Sequence, residues 1–264
     1  MKSRTMLLMT AAILLAVVCG SSRASIKVSV VKSWGDVPVF KELTDNWSAY
    51  GSTQLTIDIS LMNVRSNLTY QDLVDTDADV IWLSDPAGGS RQYSAAEITA
   101  VTDYAAAGHS ILGTYVTFQW QEIDNRGLGD IFGLRSDIQY NTSEVSANQR
   151  FDILVDHALF NGISNPYVTS GYGEAQVPWN DEKWDAGDLG SAQLLARTDD
   201  GRGIITWYET DAYHAIYVSE MVEYKGSTVD TQFLYNALTI PEPSTLLFLG
   251  LGGLMLRRRR HEVF

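Results

Sequence analysis

Between residues 26 and 115, four short runs rich in β-branched residues alternate with stretches whose apolar side chains recur every three to four positions. Residues 26–31, 55–59, 79–84 and 110–115 read as strands, bounded by turn-forming residues. Residues 40–50 place Phe40, Leu43, Trp47 and Tyr50 on one helical face, and residues 70–74 form a shorter helix. Ser94 followed by Glu97 is a capping box, which opens a helix that runs to Ala107 and stops at Gly108. Strands separated by helices cannot pair as hairpins, so they require right-handed crossovers within a parallel sheet. The implied fold class is α/β: a three-layer, mostly parallel, doubly wound sheet with helices on both faces.

Beyond residue 135 the rhythm changes. Residues 192–197, 203–209 and 215–220 are strand-like and joined by turns such as Asp199-Asp200-Gly201, which predicts an antiparallel extension in the C-terminal half. Residues 229–239 read as a closing helix. With no internal repeat or low-complexity linker, residues 25–240 are expected to form one α/β domain.

Charge narrows the partners of that body. The whole chain of 264 residues carries 19 Lys and Arg against 32 Asp and Glu, for a net charge of −13. Three of the basic residues lie in 1–24 and four in 241–264, where two of the acidic ones also fall. Residues 25–240 therefore hold 12 basic and 30 acidic side chains, a net −18. So acidic a surface lacks the basic footprint that phosphate binding needs, which argues against nucleic acid and against an anionic membrane surface.

The two ends read as addresses. Lys2 and Arg4 precede an apolar run over 6–18, and Ser22-Arg23-Ala24 offers small residues where a signal peptidase cuts. A run of thirteen residues falls short of the roughly 20 that span a bilayer, so a cleaved signal peptide over 1–24 is favoured over an anchor helix. Cys19 is the chain's one cysteine, and Val18 before it does not suit a lipoprotein signal. The mature body thus has no thiol nucleophile and no disulfide. At the other end, Pro241-Glu242-Pro243 is followed by Ser244 and Thr245, an apolar run over 246–256, and the cluster Arg257, Arg258, Arg259 and Arg260. The prolines break the preceding helix, the apolar run enters the bilayer, and the arginines hold its end on the cytoplasmic side. Such a short run suits a transient anchor.

This tripartite tail resembles the PEP-CTERM sorting signal of Gram-negative bacteria. The resemblance implies a membrane exosortase that cleaves near the Pro-Glu-Pro motif. It also implies passage through the Sec translocon and delivery to the cell surface or extracellular matrix. A plain C-terminal membrane tail is the simpler alternative, and it too would place residues 25–240 outside the cytoplasm.

A second resemblance rests on the body. Residues 77–115 give a strand, a Gly-rich loop, a capped helix, Gly108 and another strand. His157-Ala158-Leu159-Phe160-Asn161-Gly162-Ile163 follows, and near the end stand Tyr224-Lys225-Gly226-Ser227-Thr228 and Phe233-Leu234-Tyr235-Asn236-Ala237-Leu238. This order is similar to class I glutamine amidotransferase-like domains, including the trehalose-utilisation type and the equivalent domain of some β-galactosidases. It implies a flavodoxin-like architecture. Catalytic members carry a Cys on a sharp turn after the strand that corresponds to 110–115, in a G-x-C-x-G pattern. Here the stretch is Leu112-Gly113-Thr114-Tyr115-Val116-Thr117, with neither the Cys nor the second Gly. Amidotransferase chemistry is thereby excluded, and the tight elbow is expected to be missing as well.

Other chemistry has weaker support. Asp85, Ser90 and His214 are the candidate catalytic residues, with Ser84 and His109 beside them, but nothing in their spacing brings them together. The bland alternative makes Ser90 a turn residue and the histidines packing residues. The loop Asp85-Pro86-Ala87-Gly88-Gly89-Ser90 lacks the Lys of a phosphate-binding loop and the spacing of a dinucleotide fingerprint. Asp181, Asp185 and Asp188 form an acidic loop that could hold calcium, although such loops are usually just solvated. No cofactor is implied. Trp179 and Trp184, with Tyr167, Tyr172 and Trp207 as possible neighbours, present aromatic faces beside carboxylates, the pattern with which proteins hold sugars. Trp120 and Gln119 would join that site if the strand-end loops face it. The alternative is that the tryptophans cap the core under a long loop. The leading functional expectation is a binding or structural role in an extracellular polysaccharide layer. The competing one is a glycan-directed hydrolase.

Overall fold

The computed structural model describes residues 25–240, apart from 36, 147 and 181. The expected alternation is present as β1 (Ser25–Val30), α1 (Pro38–Asp45), β2 (Gln54–Asp58), α2 (Tyr70–Thr76), β3 (Val80–Ser84), α3 (Ala95–Ala106) and β4 (Ser110–Thr114). Two corrections fall within it. The first helix ends at Asp45 rather than near Tyr50, because Asn46 leaves helical geometry at φ −119°, and a separate 3-10 turn covers Trp47–Ala49. The fourth strand stops one residue early, at Thr114, because Tyr115 turns to a positive φ of 53°.

The second half holds more strand than the sequence pattern reveals. After β4 come β5 (Gln119–Trp120), β6 (Ile123–Asp124), β7 (Tyr140–Glu144), β8 (Arg150–Ile153), β9 (Tyr167–Val168), β10 (Glu174–Pro178), β11 (Gln193–Thr198), β12 (Ile204–Glu209), β13 (His214–Val218) and α4 (Thr228–Thr239). Strands of two residues and half-polar strands such as Tyr140–Glu144 carry no clean alternation, which is why periodicity misses them.

Nine strands form one sheet in the order β2-β1-β3-β4-β13-β12-β11-β8-β9. The first five are mutually parallel, and the four beyond β13 attach antiparallel. The parallel part therefore has the 2-1-3-4-5 order of a flavodoxin-like fold, and the fold is the mixed α/β one expected. A separate antiparallel ribbon of β7 and β10 packs beside it.

The inner parallel strands β3, β4 and β13 are buried along their whole length on both faces, whereas the edge strand β2 is partly exposed. Along β3, Val80 and Trp82 join a core with Phe40 and Leu43 of α1 and Phe233, Leu234, Ala237 and Leu238 of α4. Ile81 and Leu83 point the other way, into a core with Leu73 of α2, Val101 and Tyr104 of α3, and Phe118 and Phe132. That is the three-layer arrangement. The capping box forms as expected: Ser94 accepts the Glu97 amide, and Glu97 accepts the Ser94 amide at 2.8 Å. The Glu97 carboxylate also takes the Lys32 ammonium at 2.9 Å, both groups being buried. The closing segments meet as well. Asn236 of α4 donates to the carbonyls of Leu159 and Asn161 at 3.0 and 2.8 Å, tying the 157–163 loop to the last helix.

Candidate functional site

Register decides which side chains converge. Ser84 of β3, Thr114 of β4 and Val218 of β13 stand level at the carboxyl ends of three adjacent parallel strands. In an open parallel sheet this is the end at which loops splay apart and ligands bind. The next residues, Asp85 and Tyr115, continue the ladder by donating to the carbonyls of Thr114 and Val218 at 3.1 and 2.8 Å. Both then turn sharply, with φ of 46° and 53°. Lys32, just past β1, does the same at 44°. A left-handed conformation in a non-glycine residue costs on the order of 1–3 kcal/mol, and such strain gathers where a side chain must be aimed. Here it turns Asp85 and Tyr115 into one cleft.

The cleft has a volume of about 250 Å³. Val116 and Met221 give its lining apolar surface, and Trp120 and Gly88 line it as well. One wall is a run of aromatic rings brought together from four distant segments. Trp34 meets Tyr224 at 6.4 Å between ring centroids, Tyr224 meets Tyr172 at 5.1 Å, and Tyr172 meets Tyr115 at 6.0 Å, each pair tilted or edge-on. Trp34, Tyr172 and Tyr224 are all more than a third exposed, which is unusual for large aromatic rings in contact with one another.

Two carboxyl groups complete the lining. Glu174 accepts a hydrogen bond from the Tyr115 hydroxyl. Burial and that bond push the tyrosine's pKa well up. Asp85 is 4% exposed and accepts the Gly88 amide at 3.1 Å through Oδ1, while its Oδ2 has no hydrogen-bond partner among the described residues. Burial, with Glu223 and Glu174 adding like charge, pushes the Asp85 pKa up to about 8. Behind it, Glu223 is fully buried and accepts from the Ser84 and Thr114 hydroxyls through Oε1, with Oε2 unpaired. Its pKa is raised, burial being the main cause. Glu220 lies near Asp230 with both carboxyl oxygens unpaired, and it is raised by burial first and by Asp230 second.

The Gly-Gly pair in the 85–90 loop has a steric reason. A Cβ on Gly88 would stand 2.3 Å from Asp85 Oδ1, and one on Gly89 would stand 2.5 Å from the Trp34 Cα. These glycines let the loop close on its own carboxyl and on the neighbouring backbone.

The sequence-derived candidates separate. Asp85 lies in the cleft, but Ser90 is exposed on the far side of its turn and does not line it. His214 begins β13 level with Ser110, at the opposite end of the sheet. Four residues of strand rise put it roughly 13 Å from the carboxyl ends. There it is buried, stacked on Trp207 and within 3.1 Å of the Ser110 hydroxyl, and burial lowers its pKa to about 4. His109 stacks on Tyr104. Asp85, Ser90 and His214 therefore do not form one catalytic group.

The expected aromatic cluster also divides. Trp120 and Tyr172 line the cleft. Trp184 is buried against Tyr140 and Tyr217, with its indole N–H donating to the Gln176 carbonyl at 2.8 Å, so it packs as core. Trp179 is 56% exposed and follows the end of β10 opposite Glu174, roughly 16 Å along the strand. Tyr167 is buried against Phe233.

Of the acidic loop, Asp181 lies outside the described residues. Asp188 accepts the Asp185 amide, and Asp185 accepts the Gly187 amide. Among the described residues, no group of three or more His, Cys, Asp or Glu is arranged to hold a metal. The expected loss of the tight elbow is also corrected. The chain does turn sharply at Tyr115, held by the Tyr217 hydroxyl on its carbonyl at 3.0 Å and by Thr117, with a tyrosine where catalytic relatives of the resembled family carry cysteine. Trp34 and Glu174 escape sequence reasoning altogether, and Tyr224 enters it only within the 224–228 segment of the family resemblance, with no site role.

With the geometry in place, comparison with known proteins gives two results. A family model described as a PEP-CTERM protein-sorting motif matches residues 239–260. That motif marks an exported protein sorted by an exosortase, which is processed at the membrane and ends at the cell surface. The tail itself lies outside the described residues, and no described helix is long and apolar enough to cross a membrane. Among solved structures, the body is similar in fold to two cytoplasmic proteins from Salmonella typhimurium. The first is 11% identical with a TM-score of 0.57, over 82% of this chain and 99% of that one. The second is 13% identical with a TM-score of 0.55, over 81% and 98%. A cold-adapted β-galactosidase from a Rahnella species matches at 14% identity and a TM-score of 0.50, over 82% of this chain and 31% of its own. At these identities the likeness is one of fold. No curated protein matches the chain.

Proposed function

We propose that the mature body, residues 25–240, is a carbohydrate-binding module that works without catalysis in the polysaccharide layer outside the cell. In this reading residues 1–24 are a signal peptide handled by the Sec translocon and signal peptidase. Residues 241–264 anchor the protein transiently in the membrane until the exosortase acts near Pro241-Glu242-Pro243. The observation that carries the binding role is the cleft: four contacting aromatic rings, plus Trp120, face two carboxyl groups across about 250 Å³. Aromatic faces cover the apolar C–H faces of a sugar ring, and carboxyl oxygens bond its hydroxyls. The absent cysteine removes the nucleophile the resembled enzymes use.

The test is a glycan array probed with the mature protein. Binding that falls at least tenfold in Trp120→Ala and Tyr172→Ala supports the module, and a blank array or binding indifferent to both changes removes it. A second reading, hydrolysis of a glycan, draws on the two carboxyls of the cleft, one of which is held protonated near neutral pH. It requires release of reducing ends from a bound glycan that is lost in both Asp85→Asn and Glu174→Gln.

A further inference from the structure

We propose that the cleft takes a protonated amine, so that its saccharide is an amino sugar with a free ammonium group rather than a neutral, N-acetylated or acidic one. This rests on the carbohydrate reading and names the ligand class within it.

The lining is one-sided in charge. Asp85 and Glu174 face the cavity, and none of its lining residues is Lys or Arg. Lys32 is buried on Glu97, and Arg91 donates through Nη2 to Asn63 at 3.0 Å, so neither lines the cavity. Asp85 is almost wholly buried, yet Oδ2 meets no donor. With one backbone amide as its single donor among the described residues, this nearly buried carboxyl gains more from an ammonium entering the cleft than from a neutral hydroxyl. A sugar acid would bring its negative charge into a lining that holds two carboxyl groups and no Lys or Arg to answer it.

The aromatic wall points the same way. Trp34, Tyr172 and Tyr224 are tilted against one another rather than stacked flat, so their faces and edges surround a concave space. A cation over such faces is attracted by the ring quadrupole, more strongly when desolvated. A metal ion is a poor fit, since among the described residues no third His, Cys, Asp or Glu is grouped with the two carboxyls of the lining. At longer range, the net −18 of residues 25–240 draws a polycationic chain toward the site.

The experiment is isothermal titration of the mature protein at low salt with three tetramers: glucosamine, N-acetylglucosamine and glucose. The expectation is that the glucosamine tetramer binds at least tenfold tighter than the other two. Its affinity should fall at least tenfold in Asp85→Asn and in the more exposed Glu174→Gln, and with added salt. Titration at pH 5.5, where the ligand amines enter already protonated, in buffers of different ionisation enthalpy should also show proton release, because the ammonium converts Asp85 to its carboxylate while facing Glu174, Tyr115, Glu223 and Tyr217. That release should vanish in Asp85→Asn. Equal or tighter binding of the acetylated or glucose tetramer overturns the amine inference and leaves the carbohydrate reading standing. If none of the three binds and the array is blank, both fall.

Discussion

Replacing Asp85 with Asn should make the protein more stable at neutral and alkaline pH, by an amount that grows with pH. In the native state the Asp85 carboxyl titrates at about 8, against an ordinary value of 3.8 that the unfolded chain would show. Below pH 3.8 both states hold the proton, and the group contributes nothing. As pH rises through 3.8 the unfolded chain loses its proton while the native state keeps it, so native stability falls, and the loss levels off above about 8. At 1.36 kcal/mol for each unit, the cost at pH 7 is about 4 kcal/mol, of which about 3 accumulates between pH 5 and 7. Asparagine keeps the acceptor for the Gly88 amide and removes the titration. Urea unfolding of wild type and variant at pH 5, 7 and 9, read by tryptophan fluorescence, measures the difference. Glu220, raised by burial and by Asp230 rather than by Asp85, slopes the same way in both proteins and cancels. The expected gap between the two curves is small at pH 5 and widens by a few kcal/mol by pH 8. Parallel curves across that range would refute the claim that Asp85 is held protonated by burial. The same destabilisation is what a cationic ligand would relieve on binding.

Gly89→Ala should unfold or displace the loop after β3, because its Cβ would sit 2.5 Å from the Trp34 backbone, and a drop in melting temperature should accompany weaker ligand binding. Trp184→Ala should cost about 3–5 kcal/mol in urea unfolding, as for other buried aromatics, whereas Trp179→Ala, at a largely exposed position, should change stability by less than about 0.5 kcal/mol. Equal effects would contradict the division of the two tryptophans between core and surface. In the native host, deleting Arg257 to Arg260 or replacing Glu242 should leave the protein mis-sorted. Unchanged mature mass and location in a strain without its exosortase would overturn the sorting role of the tail.

How much of this was legible beforehand follows from which interactions are local. The alternation of strand and helix, the Ser94–Glu97 capping box and the Gly108 stop depend on residues within one turn or one strand of each other, and the structure bears them out. The missing cysteine and the order of the tail are likewise facts of the chain itself. The short strands of the second half failed because a two-residue pairing such as Tyr167–Val168 leaves no period to detect. The elbow at Tyr115 failed because a positive φ at a tyrosine is set by hydrogen bonds to the Val218 carbonyl and from the Tyr217 hydroxyl, a hundred residues away.

The sequence by itself determined the α/β class, the absence of thiol chemistry, the acidity of the body and the sorting address. Tertiary structure alone decided the site. Strand register brought Asp85 and Tyr115 level and put His214 at the far end, although the spacing of the three says nothing of either. Loop packing gathered Trp34, Tyr172, Glu174 and Tyr224 from separate segments and buried Trp184 while leaving Trp179 in solvent. Burial, which no single residue carries in its identity, raised one aspartate to a pKa of about 8 and made it the distinctive group of the cleft.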